Sequence, residues 1–242
     1  MSNSKPGNIV KQIICYIGGL LIITIGINIS KMSNLGISPV SSIPRATEQI
    51  WGFTLGVTTF IIYIFLVVAQ LVILRKDFKL RNALGILLTF VFSWMIDLTG
   101  TDPKAIGHLM LNFPRPSNYI MQFIYMVVSV IIIGIGVFLY LRPKWVPMPA
   151  EGLAGAIAQA TGKTFGDCKT IVDTSMIAIA LILQLIFLGG LQSFVGEGVV
   201  VREGTIVAAI CVGQVVKFLS KRFAKPIEGW LHAGEEKAEA KA

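Results

Sequence analysis

The stretch IITIGINISKMSNLGISPVSSIPRATEQIWGFTLGVTTFI, residues 22–61, returns as IIGIGVFLYLRPKWVPMPAEGLAGAIAQATGKTFGDCKTI, residues 132–171, at a constant offset of 110 and without a gap. The identities Pro39/Pro149, Gln49/Gln159, Gly52/Gly162 and Gly56/Gly166 fall outside the apolar runs, so shared hydrophobicity does not account for them. The chain is read as a duplicated unit. It is 54% hydrophobic with a mean hydropathy of +0.75. In such a chain a duplicated unit points to a transporter, because two similar halves can exchange conformations around a shared central site.

Working outward, charge marks the spans, since an acid or base at a bilayer centre costs about 2.5 to 3.5 kcal/mol on insertion scales. The charge-free stretches are 12–30, 49–74, 82–96, 116–141, 174–196 and 204–216. The third and sixth are short of the ~20 apolar residues that cross a hydrocarbon core, and they are partners in the repeat. The expected fold is an all-α polytopic membrane protein with six transmembrane helices, arranged as two inverted three-helix repeats, each with a re-entrant half-helix. Three spans per half is an odd number, so the second half enters the membrane with the opposite orientation. The boundaries are a cytoplasmic N-terminus at 1–11, a first repeat at 12–100 with re-entrant segment 32–56, an external loop at 101–117, a second repeat at 118–220 with re-entrant segment 142–166, and a cytoplasmic tail at 221–242.

Orientation follows from Lys and Arg. With the N-terminus inside, most of the 21 basic residues gather on the cytoplasmic side, including Lys11, Arg75, Lys79, Arg142, Lys163 and Lys217, so both termini are expected in the cytoplasm. The net charge of +8 is that of a basic membrane protein and not of a nucleic-acid binder. No small-residue cleavage site follows the first apolar run, which is therefore expected to stay as an anchor. Cys15, Cys168 and Cys211 read as packing residues. With only His108 and His232, no metal or cofactor is expected.

The segments between the first and second spans decide the site. Each reads as about seven irregular residues followed by about fourteen helical ones, roughly 23 Å out and 21 Å back. Ser38 suits an N-cap, Pro39 and Pro149 the first helical position, and Gly52 and Gly162 the C-terminus. If both segments dip into the membrane, two half-helix N-termini point inward, and such ends attract anionic or polar groups. The alternative is a helix lying on the membrane surface.

Ser38, Ser41, Ser42 and Arg45 from the first half-helix and Glu151 from the second are the candidate solute contacts. Arg45 has a snorkelling surface arginine as its alternative, and Glu151, at the third helical position, a purely structural role on the helix dipole. Glu151, Asp173 and Lys169 are the candidates for proton or ion coupling, with an i,i+4 Lys169–Asp173 ion pair as the bland reading. Asp97 and Lys217 read as boundary anchors. Gln70 and Gln184 read as interhelical contacts, and Gly18, Gly19, Gly26, Gly134 and Gly136 as sites of close helix packing.

The element Leu35-Gly36-Ile37-Ser38-Pro39-Val40-Ser41-Ser42-Ile43-Pro44, then Pro149-Ala150-Glu151-Gly152, Phe165-Gly166 with Lys169 and Asp173, and Arg202-Glu203-Gly204-Thr205 with Gly213, resembles the YczE/YyaS/YitT family of bacterial membrane proteins over about residues 13–220. The resemblance implies a multi-pass protein of the bacterial cytoplasmic membrane, in a family whose members are largely uncharacterised. Many relatives carry an acid where this chain has Ser41, so a role needing two acids is not carried over.

The expected function is secondary transport of a small polar or anionic organic solute by alternating access, with proton coupling as an option and no enzymatic activity. Its expected partners are the solute, the lipid bilayer and, as an open question, a second copy of the chain. Two alternatives stay open. One is the substrate-binding subunit of an energy-coupling-factor importer, against which stands the absence of alanine from residues 12–30. The other is a non-transporting regulatory or assembly factor docking through Glu228 to Ala242.

Overall fold

The computed structural model describes residues 6–78, 80–105, 107, 109–189 and 199–231. Every regular element among them is helical. The order is α1 (Pro6–Ser33), α2 (Pro39–Trp51), α3 (Leu55–Leu74), α4 (Leu80–Leu98), α5 (Tyr119–Leu141), α6 (Pro149–Thr161), α7 (Phe165–Phe187) and α8 (Glu203–Leu231), with a 3₁₀ turn at Arg75–Asp77. The expectations placed on residues 1–5, Lys79, His108, residues 190–196 and the tail beyond 231 lie outside the described residues.

Five helices are long and apolar enough to cross a membrane: Asn8–Ser33, Leu55–Asp77, Tyr119–Leu141, Phe165–Phe187 and Glu203–Leu231. A sixth apolar helix, Asn82–Leu98, is shorter. Large apolar side chains such as Phe65, Leu87, Phe90, Ile120 and Ile186 face outward. Acyl chains solvate such a surface and water does not. The molecule is a membrane protein.

The half-helices carry the local chemistry that their prolines and glycines dictate. Both are thirteen residues long and both begin on a proline. There the missing N–H is no loss and φ is already helical. Both end on a left-handed glycine, Gly52 at φ 71° and Gly162 at φ 72°, whose N–H closes the last turn onto Glu48 and Ala158. Only glycine takes that conformation without a steric penalty. The helix after each also starts alike: the Thr54 and Thr164 hydroxyls cap α3 and α7 by accepting from the N–H two residues into the helix, Val57 and Asp167 being the donors.

Packing exchanges the halves. α1 and α5 run antiparallel and touch backbone to backbone: a Cβ on Gly19 would fall 2.6 Å from Tyr140 N, and one on Gly26 would fall 2.6 Å from Ile133 Cγ1. Gly134 is closed in by Val215 of α8. Gly18 is different, for a Cβ there would meet nothing within 4 Å, so its packing role in the sequence reading does not hold. α2 rests on α7, and α6 rests on α3. Each half-helix thus lies against the second span of the other half. Ser42 Oγ donates to Met176 O of α7, and Gln70 Nε2 of α3 donates to Pro149 O of α6. Buried polar groups in α1 are satisfied across the bundle, with Asn28 Nδ2 donating to Thr24 O, Ile96 O and Thr99 Oγ1. Unpaired in a dry interior, an amide of this kind would cost several kcal/mol.

Asp97 is the end of a span in sequence, yet it is buried and caps another helix. Its Oδ1 accepts from Gly56 N at 2.8 Å and its Oδ2 from the Thr54 hydroxyl at 2.7 Å, both at the start of α3. A carboxylate there satisfies orphan N–H groups and complements the helix dipole. The boundary-anchor reading of Asp97 is replaced by a capping one.

Candidate functional site

The N-terminal turns of α2 and α6, one from each half, open onto a single cavity of about 800 Å³. Ser38, Pro39, Val40 and Ser41 line it from one side, Met148, Glu151 and Gly152 from the other. Ile23, Ile27, Tyr63, Phe92 and Ile133 form apolar wall at its depth. The rim is set by Asp77, Asn82, Leu141, Gln159 and Phe165. These lie where α3 and α5 end and α7 begins, which is the face of the bundle on which α1 starts. The lining also takes in Ala209 and Gly213 of α8, which are exposed along that span.

Five of the sequence-predicted residues meet here: Ser38, Ser41, Glu151, Lys169 and Asp173. The Ser38 and Ser41 hydroxyls are 3.2 Å apart and share a hydrogen bond. Lys169 and Asp173 form the i,i+4 ion pair on α7, half-buried on both sides. Glu151 lies in the electrostatic reach of both and of Tyr140. Its Oε2 is shut off from solvent and has no hydrogen-bond partner among the described residues, and the Tyr140 hydroxyl beside it is in the same position. The Tyr140 hydroxyl is a donor within reach of the Glu151 carboxylate, so the two are placed to pair with one another in the dry interior, where buried polar atoms are nearly always paired.

Two predicted contacts lie elsewhere. Ser42 is fully buried, its hydroxyl donating to Pro39 O at 2.6 Å and to Met176 O, which joins α2 to α7. Arg45 faces away from the cavity and pairs with Glu48, which also accepts from Lys31. Lys31 and Arg45 line a second, smaller pocket.

Three contributors were not singled out from sequence. Tyr63 and Tyr140 are aromatic residues in apolar runs, indistinguishable there from core. Gln159 was visible as the repeat partner of Gln49 but carried no chemical signal of its own. Gln184, read as an interhelical contact, accepts from Val201 N at 2.8 Å and so ties α7 to the segment leading into α8.

The start of the tail packs on the body. Arg142 donates to Glu228 and to the Ser220 hydroxyl, Lys11 donates to Trp230 O, and Leu231 is fully buried. Glu228 to Leu231 are thus already engaged in the molecule's own bundle.

Residues 10–221 match a family of unknown function, DUF6198. A protein of Bacillus subtilis (strain 168) described as uncharacterized protein YyaS is 26% identical over 171 residues, covering 71% of this chain and 78% of that protein. The motif resemblance to the YczE/YyaS/YitT family is supported by both. No solved structure matches.

Proposed function

Because this chain belongs to the DUF6198 family, whose function is unknown, we propose a function from the cavity itself: secondary transport of a small organic solute by alternating access, without enzymatic chemistry. The observation that carries this reading is the convergence of two half-helix N-termini, one from each half, on one cavity. In transporters built from inverted repeats, discontinuous helices of this kind hold the substrate where the halves meet. The reciprocal contacts of α1 with α5, and of each half-helix with the opposite half, support six spans in two inverted repeats, with Asn82–Leu98 as the short third span. Rocking one half against the other would close the present opening and open its counterpart.

The lining favours a solute with an apolar body and a polar head. Isoleucine, valine and phenylalanine offer the body a dry wall, and Ser38, Ser41 and Glu151 offer the head hydroxyls and a carboxylate. The expectation of an anionic solute rests on Arg45 and on the two half-helix N-termini; the N-termini line the cavity, but Arg45 lines another pocket. With Lys169 already paired to Asp173, Glu151 is the uncompensated charge at the cavity's depth. A polar or cationic head group fits it better than an anionic one. Glu151 is also the proton carrier in this reading, because a solute and a proton compete for its carboxylate.

The test is a thermal-shift screen of the detergent-purified protein against pools of polar, cationic and anionic metabolites at acidic and neutral pH. A solute at about 100 Kd stabilises by about 2.7 kcal/mol. Stabilisation by a cationic or polar pool, lost in Glu151→Gln, is the expected result. No stabilisation by any pool would remove the transport reading in favour of a partner-dependent subunit.

A further inference from the structure

The second pocket, of about 190 Å³, lies on the opposite face of the bundle from the mouth of the cavity, where α1 ends and α5 begins. Lys31, Asn34, Arg45, Thr101, Arg115 and Gln122 contribute its polar lining. Lys31 comes from the last turn of α1, Arg45 from α2 and Arg115 from the segment before α5, so three cations converge from three elements.

Glu48 stands beside them with both carboxylate oxygens taken, Oε1 by Lys31 and Oε2 by Arg45. Its side chain is 6% exposed, those of Lys31 and Arg45 12% and 13%. The carboxylate therefore positions the two cations and restrains their rotamers. Each donates one hydrogen bond to it, which leaves most of the donors of a guanidinium and an ammonium unspent. Arg115 is exposed and has no acid partner among the described residues. Three cations stand against Glu48 and, within electrostatic reach of Lys31 and Glu48, Asp97, which leaves a surplus of one positive charge beside a pocket that also offers hydroxyl and amide groups.

We propose that this pocket binds a phosphate-class oxyanion, held by Arg45, Arg115 and Lys31 with Thr101 and Gln122 as neutral partners. Arginine forks match two oxygens of such a group at once, and lysine adds a point charge. A halide would leave most of the donors unmet. At about 30 Å³ per water in the liquid, the volume has room for a tetrahedral anion with a small hydration shell. The chemistry is shared by inorganic phosphate and by the phosphodiester of an anionic lipid headgroup, since the pocket sits at the end of two apolar helices. This site is independent of the transport reading.

The experiment has two arms on the full-length purified protein. In the first, inorganic phosphate is titrated by calorimetry into protein in a neutral detergent, with chloride as the control. In the second, native mass spectrometry counts lipids retained after release from discs containing equal phosphatidylglycerol and phosphatidylcholine. Parent protein is compared with Arg115→Gln, an exposed change that leaves the Glu48 pairs intact, with Arg45→Gln, and with Lys163→Gln on the far face. Saturable phosphate binding assigns a free anion, and selective phosphatidylglycerol retention assigns a headgroup. Either should weaken about tenfold or more in Arg115→Gln, the scale of one lost charge-assisted hydrogen bond, and stay unchanged in Lys163→Gln. Binding in neither arm, or equal binding by parent and Arg115→Gln, overturns the proposal.

Discussion

Gly26 of α1 and Ile133 of α5 meet so closely that a Cβ on the glycine would fall 2.6 Å from Ile133 Cγ1, and the same contact recurs with the halves exchanged, between Gly136 and Ile23 at 2.7 Å. The four residues are two repeat pairs, 110 positions apart. Inserting a methyl group into a packed interface costs about 1 to 3 kcal/mol. Gly26→Ala and Gly136→Ala should each destabilise the protein by that amount, lowering the thermal midpoint in detergent by comparable steps of several degrees. Gly18→Ala should not, because a Cβ there meets nothing within 4 Å and alanine is the better helix former by about 1 kcal/mol. Equal behaviour of Gly18→Ala and Gly26→Ala would refute the close crossing.

Asp97→Ala removes the acceptor of Thr54 Oγ1 and Gly56 N at the buried start of α3. Hydrogen bonds to a charged group contribute about 1.5 to 3 kcal/mol each, so unfolding should shift by several degrees. Asp97→Asn keeps one acceptor oxygen and should lose less. Hydrogen exchange at Gly56 would report the uncapped turn directly. An Asp97→Ala protein with parental stability and protection would show that the cap is dispensable.

Solute affinity should rise with pH if Glu151 must be ionised to bind a polar or cationic head. Below the pKa of the carboxylate each pH unit changes apparent affinity about tenfold, because one proton is released on binding, and above it affinity is constant. Glu151→Gln should bind weakly with a flat profile. A profile that stays sloped in Glu151→Gln would move the proton to Asp173.

Gln159 is exposed at the cavity rim and Arg115 is exposed on the opposite face. With Cys15, Cys168 and Cys211 replaced, single cysteines at Gln159 and Arg115 should react with an impermeant maleimide from opposite sides of the membrane. By the positive-inside rule, Gln159 is the position expected to label from the cytoplasmic side. Labelling of both positions from one side would overturn the topology.

Much of this molecule was legible because its punctuation is chemical. Pro39, Gly52, Pro149 and Gly162 mark both half-helices, since proline and glycine act through their own backbone and need no tertiary context. The start of α7 was missed for a related reason. Segmenting by charge excludes Asp167, Lys169 and Asp173, yet α7 begins at Phe165, because Thr164 and Asp167 form its cap and Lys169 and Asp173 neutralise one another. Arg45 and Glu48 stand at i,i+3, a spacing that permits the ion pair they form, though the sequence reading makes Arg45 a solute contact. Lys31 completing the cluster, and Asp97 reaching Gly56 across 41 positions, could not be read, for nothing local sets the distance between separate helices. Ser42 turned toward α7 because the half-helices cross between halves, which the repeat alone does not specify.

That crossing has an evolutionary consequence. A half-length ancestor inserted in both orientations and paired face to face would bury the same surfaces, its half-helix leaning on the partner's second span. Joining two such genes would raise the effective concentration of the second copy and free the copies to differ. This chain carries an acid once at that pair of positions, as Glu151 opposite Ser41, and arginine once, as Arg45 opposite Gly155.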